Sequence, residues 1–270
     1  MIRKLFPRVA LLLAVGAAAA VIEVSCCRVQ PAPEPKAAAV PKPTLMSWRV
    51  ASAYLEDIFT RIPNSSIDDF RKDTPQEEQK LVNASHGETG VQADNAHVYG
   101  EPAPMTTDLM LGRVGAGEND VLYDLGSGRS FFLMQALLTS PIRKAVGVEL
   151  AHSRAVIAEQ ARGMMMEQGL MPPGKVLDLR EQDMAKTNVE DATIVYMDSV
   201  FFTDELLNGV ARNLSRAKNM RWIVMITKGL PPNPWFELAT TERLKMSWSP
   251  KFGSDVLFYK RTAAPADPSL

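Results

Sequence analysis

VLYDLGSGRSFFLMQALL, residues 121–138, passes from a β-branched and aromatic run through a glycine loop into a stretch that is apolar except for Gln135. That order predicts a strand over 121–125, a tight turn, and an apolar helix over 131–138. The alternation repeats on the C-terminal side. KAVGVEL (144–150) reads as a strand, SRAVIAEQARGMMMEQG (153–169) as a helix, and KVLDLREQD (175–183) and ATIVYM (192–197) as strands. DELLNGVARNL (204–214) then reads as a helix and RWIVMITK (221–228) as a strand. Strands that alternate with helices pack as a parallel sheet covered on both faces. LATTERLKMSWS (238–249) and DVLFYKR (255–261) leave no room for a helix between them, so they are expected as an antiparallel hairpin at the sheet edge. The expected fold is α/β: a doubly wound, mostly parallel seven-stranded sheet, closed by a C-terminal hairpin and preceded by a small helical lead-in.

The lead-in spans 45–97. Trp48, Ala51, Leu55, Ile58, Phe59 and Ile62 recur at three- and four-residue steps, which places them on one helix face for packing. Ser66–Val82 is polar and expected to be helical in part. Upstream, RVQPAPEPKAAAVPKPT (28–44) carries too much proline for helix or sheet and reads as an extended linker. In residues 1–27, Arg3, Lys4 and Arg8 precede an apolar run from Val9 to Ile22. The pattern suits a signal-anchor that holds the chain at a membrane, with Cys26 and Cys27 available for acyl chains. A cleaved export signal and a mitochondrial presequence are the alternatives. Residues 263–270 read as a frayed tail, leaving 98–262 for the main domain.

Lys and Arg number 30 against 31 Asp and Glu, and no basic run appears, so nucleic acid is not an expected partner. Two adjacent cysteines exclude a disulfide framework and a cysteine-based zinc finger. His86, His97 and His152 lack metal-ligand spacing, and no metal is expected. His152 reads as a helix-start residue.

Ligands of such sheets bind beyond the carboxyl ends of the strands, where strand order reverses. The loop Asp124-Leu-Gly126-Ser127-Gly128-Arg-Ser130 stands there. Phe131 occupies the last position of GxGxxG, so the nicotinamide pattern fails, while the DxGxG spacing fits S-adenosylmethionine enzymes. Glu149 ends the second strand, where a carboxylate can accept both ribose hydroxyls. Asp183 ends the third, where it can accept from the adenine amino group. Arg129 is expected to be solvated, and Met164–Met166 to form a buried helix side.

VLYDLGSG, the upstream VYGEP and the closing MSWSPKFGSDVLFYKR together resemble the histone lysine methyltransferases that lack a SET domain, the disruptor-of-telomeric-silencing family. The similarity runs from about Val98 to Arg261. The resemblance implies a Rossmann-like class I methyltransferase with S-adenosylmethionine as cofactor. Tyr99 and Glu101 would lie on a loop over its methionine end, and Asp124, Gly126, Ser127 and Gly128 would cradle that end from below. Glu149 would hold the ribose, and Asp183 with Met184 the adenine. Asp198 would orient the acceptor amine, with Tyr196 and Trp248 walling a channel for the lysine. Three positions depart from the family: Ser130 stands where glycine is usual, Asp198 where asparagine is usual, and Asp255 where a channel tyrosine falls. The expected function is methyl transfer to a lysine of a non-histone protein near a membrane. The alternatives are a small-molecule or lipid methyltransferase, and an inactive methyltransferase fold that binds a partner.

Overall fold

The computed structural model describes residues 44–66, 74–87, 95 and 97–269. The segment 1–27 and all but the last residue of 28–44 lie outside them. Among the described residues, no helix is long and apolar enough to cross a membrane.

The described elements are α1 (Trp48–Thr60), α2 (Gln76–Ser85), α3 (Pro104–Arg113), β1 (Val121–Leu125), α4 (Phe131–Thr139), β2 (Lys144–Glu149) and α5 (His152–Glu167). They continue with β3 (Val176–Glu181), β4 (Ile194–Met197), α6 (Asp204–Leu214), β5 (Trp222–Ile226), β6 (Phe236–Met246) and β7 (Ser249–Arg261). The seven strands form one sheet in the order β3-β2-β1-β4-β5-β7-β6. β1 runs parallel to both β2 and β4, with Asp124 opposite Gly147 on one side and Tyr196 on the other. β5 pairs with β4 in parallel and with β7 antiparallel, and β7 pairs with β6 as the expected hairpin. The chain builds outward from β1 to β3, then crosses back to β4. A crevice therefore opens where the carboxyl ends of β1 and β4 diverge.

α4 explains the apolar run that follows the glycine loop. Every residue from Phe131 to Leu138 is buried, because the sheet covers one side and α1 and α3 pack on the other. A helix enclosed on all sides needs no polar face. α1 presents Ala51, Leu55, Ile58 and Phe59 to this layer, as its spacing requires, and Ser47 caps its first turn. On the other face of the sheet, Leu206, Leu207, Val210 and Leu214 of α6 pack over β4 and β5. Thr203 caps α6, its Oγ1 accepting the Leu206 N–H at 3.2 Å.

Two expectations need correction. Met165 is buried but Met166 is 58% exposed, since three consecutive positions span most of a helical turn and cannot share a face. The tail is tethered at Asp267, whose N–H donates to Ser215 Oγ at 3.0 Å and whose carboxylate pairs with Arg212 at 3.1 Å.

Leu55 of α1 is fully buried against this core. Leu55→Ala is expected to cost about 3 kcal/mol in urea unfolding, the usual range for such a cavity. A single transition is expected if α1 belongs to the same cooperative unit as the sheet.

Candidate active site

The loop between β1 and α4 turns sharply enough to need glycines. Gly126 (φ +95°) and Gly128 (φ +51°) both lie in the left-handed region. A Cβ on Gly128 would come 1.9 Å from Tyr99 Cε2, so the tyrosine ring rests directly on the backbone there. Gly126 and Ser127 donate their N–H groups to Val148 O at 2.8 and 3.0 Å, and Gly128 N–H donates to Glu149 Oε2 at 2.7 Å. Ser130 also adopts the left-handed conformation, at φ +60°. That backbone costs a residue with a Cβ about 1–2 kcal/mol, which accounts for glycine being the family's usual choice. Ser130 Oγ donates to Ser127 Oγ at 3.2 Å.

Across this loop lies the segment 98–103. Tyr99 OH donates to Glu101 Oε1. Arg129, expected in solvent, is only 3% exposed and grips Glu101 with two bonds, Nε to Oε1 at 2.7 Å and Nη2 to Oε2 at 2.9 Å. Its Nη1 donates to Ser65 O at 2.9 Å, and its guanidinium lies over Phe59 at 4.3 Å from the ring centroid. Burial alone would depress its pKa, yet the Glu101 hydrogen bonds and charge raise it above the ordinary arginine value. Nothing near Arg129 in sequence announces this, because Glu101 stands 28 residues away and Phe59 on another helix. The same segment joins the hairpin. Ser247 N–H donates to Glu101 O at 2.9 Å, Pro102 bridges Met246, and a Cβ on Gly100 would come 2.4 Å from Trp248 Cε3.

Beneath these contacts opens a cavity of about 470 Å³. Of the residues singled out in the sequence, it is lined by Tyr99, Gly126, Glu149, Asp183, Met184, Asp198 and Trp248. Glu101, Asp124, Ser127, Gly128 and Tyr196 are not among its lining residues. Tyr196 is buried against Phe132, with ring centroids 4.3 Å apart, and its hydroxyl has no hydrogen-bond partner. Phe201 and Phe202 complete the aromatic wall. The sequence reading missed His86 and Arg154, which also line the cavity. His152 begins α5 and pairs with Glu181 at the surface. Asp255 pairs with Arg243 on the hairpin at 2.7 Å and takes no part in the lining.

The site is rich in carboxylates. Glu149 accepts the N–H groups of Gly128, Leu150 and Ala151. Asp183 Oδ1 accepts the Ala185 N–H at 2.9 Å, and Oδ2 pairs with Lys186 at 2.7 Å. Asp124 is buried with Oδ1 unpartnered. Burial first, then the charges of Asp198, Glu149 and Glu101, push its pKa well above the usual carboxylate range. Asp198 keeps part of its surface open to the cavity but lies deep below the protein surface. Burial there pushes its pKa up to about 7, against the bond it accepts from the Val200 backbone. Ser199, next to it, donates to Ile226 O and Lys228 O across the end of β5.

The family model described as histone methylation protein DOT1 matches residues 89–242, more than half of the chain. The match takes in VYGEP, the glycine loop and β1 to β5, and ends within β6, before the closing SW motif. No curated protein sequence matches. Among solved structures, an RNA methyltransferase from Salinibacter ruber with bound S-adenosyl-L-homocysteine is 22% identical, covering 62% of this chain and 97% of its own, at a TM-score of 0.45. A geranyl diphosphate methyltransferase in complex with SAM is 15% identical, covering 66% and 94%, also at 0.45.

The residues present fit S-adenosylmethionine. Its ammonium and sulfonium give it a net positive charge. Glu149, Asp183 and Asp198 outnumber Arg154 on the cavity lining, and the unpartnered Asp124 oxygen belongs to a carboxyl close enough to feel the charges of Asp198 and Glu149, an arrangement that suits a cation. Gly126, where a Cβ would lie 3.4 Å from Phe202 Cζ, leaves backbone room for close approach.

Removing one member of a buried ion pair leaves the other charge uncompensated. Arg129→Met is therefore expected to destabilise the protein by about 3 kcal/mol or more, measured by chemical denaturation. Arg129→Met with Glu101→Gln should cost clearly less than the sum of the two single changes. Additive losses would show that the pair is not the unit described.

Proposed function

The chain belongs to the DOT1 family of histone methylation proteins, which use S-adenosylmethionine, and we propose that it transfers a methyl group to a lysine side chain of a non-histone protein. The observation that carries the reading is Asp198, a deep carboxylate open to a cavity walled by Phe201, Phe202 and Trp248. Aromatic faces suit an alkyl stem and an amine cation, and a carboxylate at their base suits the amine itself. Glu149, Asp183 and Asp198 outnumber Arg154 as charges on the lining, which disfavours a polyanionic substrate. A net charge of −1 likewise offers a nucleosome no electrostatic attraction.

S-adenosylmethionine would supply an activated methyl carbon on a sulfonium sulfur: a neutral amine bonds to that carbon in line, and the carbon–sulfur bond breaks to leave S-adenosylhomocysteine. The work of the chain is alignment and the exclusion of water. Asp124, Glu149 and the glycine loop would hold the cofactor, with Tyr99 closing over it. Asp198 Oδ would accept a hydrogen bond from the acceptor amine, orient its lone pair, and take up the proton the ammonium must lose. A carboxylate titrating near 7 is ionised often enough at neutral pH to do this. Asparagine, usual here in the family, can orient but cannot take the proton. We further propose that residues 1–27 hold the enzyme at a membrane, where its protein substrate would lie.

A small-molecule acceptor is the second reading. It is favoured by Asp255, which pairs with Arg243 where the family places a channel tyrosine and so leaves the acceptor end less enclosed.

Incubation of the protein with labelled S-adenosylmethionine and membrane extract, followed by peptide mass spectrometry, is expected to find methyl groups on lysine. Methyl transfer confined to small molecules would overturn the lysine assignment. Turnover is expected to rise with pH through about 7 as Asp198 ionises. Asp198→Asn should flatten that rise, and Asp198→Ala should lower kcat about a hundredfold. Full turnover in Asp198→Ala would remove the residue from the mechanism. Stability provides a separate check. Asp198 holds its proton to about 7 when folded but only to 3.8 in the ordinary state. The folded state is therefore the more protonated between these values, and stability falls as pH rises through that window. In Asp198→Asn this part of the fall should disappear.

A further inference from the structure

His86, which follows α2 directly, is 2% exposed and lines the cavity. Its Nδ1 lies 2.8 Å from Val82 O, so that nitrogen carries the proton and Nε2 presents a bare lone pair. Nε2 is buried and has no hydrogen-bond partner. Burial, the largest influence, lowers the pKa of the ring and keeps it neutral. The ring stands edge-on to Phe202 at 5.5 Å. Its backbone is fixed by α6's cap residue, Thr203, whose Oγ1 donates to His86 O at 2.6 Å. Gly87 is pressed onto Glu205, where a Cβ would come 2.2 Å from Cδ.

Asp183 and Met184 line the same cavity. Asp183, to which the resemblance gives the adenine amino group, is near enough for its charge to act on His86. Both Asp183 oxygens already have protein partners, Ala185 N–H and Lys186. This part of the cavity thus pairs a satisfied carboxylate with an unsatisfied neutral acceptor. A buried acceptor without a donor is costly, and a ligand that brings the donor recovers that cost on binding. The exocyclic amino group of adenine has two N–H donors, more than Asp183 alone is placed to use.

We propose that His86 Nε2 accepts a hydrogen bond from the adenine amino group of the cofactor, which makes the helical lead-in part of the cofactor site. The proposal rests on S-adenosylmethionine occupying this cavity. His86 then selects a purine with a donor at position 6. A 6-oxo purine would set lone pair against lone pair.

The test is calorimetric titration of the full chain with S-adenosylhomocysteine and with S-inosylhomocysteine, in which the amino group is replaced by oxygen. The unaltered protein is expected to prefer the adenine ligand. His86→Phe, which fills the space without an acceptor, should cut that preference about five- to tenfold. His86→Gln, which can bring an amide oxygen near the Nε2 position, should restore most of it. Thermal melting checks that each variant is folded, and His86→Leu repeats the measurement if phenylalanine is not accommodated. Equal weakening of both ligands would reduce His86 to a packing role and overturn the proposal, as would an unchanged preference. Binding of neither ligand by the unaltered protein would instead overturn the cofactor assignment itself.

Discussion

The buried pair between Arg129 and Glu101 is the contact on which the site's geometry depends. A charge taken out of water is stabilising only when its hydrogen-bonding capacity is met, and here it is met from three directions. Glu101 takes two guanidinium bonds, Ser65 O takes a third, and the Phe59 and Phe131 rings face the cation. These groups come from the lead-in, from the segment before α3, and from the glycine loop with its helix. The orientation of Tyr99 follows, since its hydroxyl ends on the same carboxylate. The seating of the hairpin follows too, through the exchange between Glu101 and Ser247.

The second constraint is electrostatic. Asp124 and Asp198 lie deep at the switch point of the sheet, and a carboxyl taken out of water resists ionisation; at Asp124 the charges of Asp198, Glu149 and Glu101 add to that effect. Strain gathers in the same region. Ser130 and Thr227 hold left-handed backbone without being glycine, one in the glycine loop and the other just past β5, beside the carbonyls that Ser199 holds. Strained backbone and orphaned polar atoms collect where a structure is adapted to a ligand rather than to its own stability. Asp124 Oδ1, His86 Nε2 and the Tyr196 hydroxyl are orphans of that kind.

The acids at the strand ends were legible because a parallel sheet brings the carboxyl ends of its strands to one edge. Strands found by period therefore place Asp124, Glu149 and Asp183 near one another without any knowledge of packing, while Asp198 was singled out by the family resemblance. Arg129 was not legible, since a lone arginine beside glycines looks like any solvated residue until Glu101 and Phe59 are brought to it. His86 was invisible for the same reason. Its role comes from Phe202, Thr203 and Glu205, more than a hundred residues further along.

By itself, the sequence determined the strand and helix order, the glycine turn after β1, the edge hairpin and the membership of a methyl-transfer family. All of these rest on local period, on backbone conformations that glycine allows, or on motifs of a few residues. The tertiary structure decided which side chains share the cavity, which acids are held near neutrality, and that the lead-in forms a wall of the site. Burial and pairing between distant segments set those properties, and a linear spacing carries no record of either.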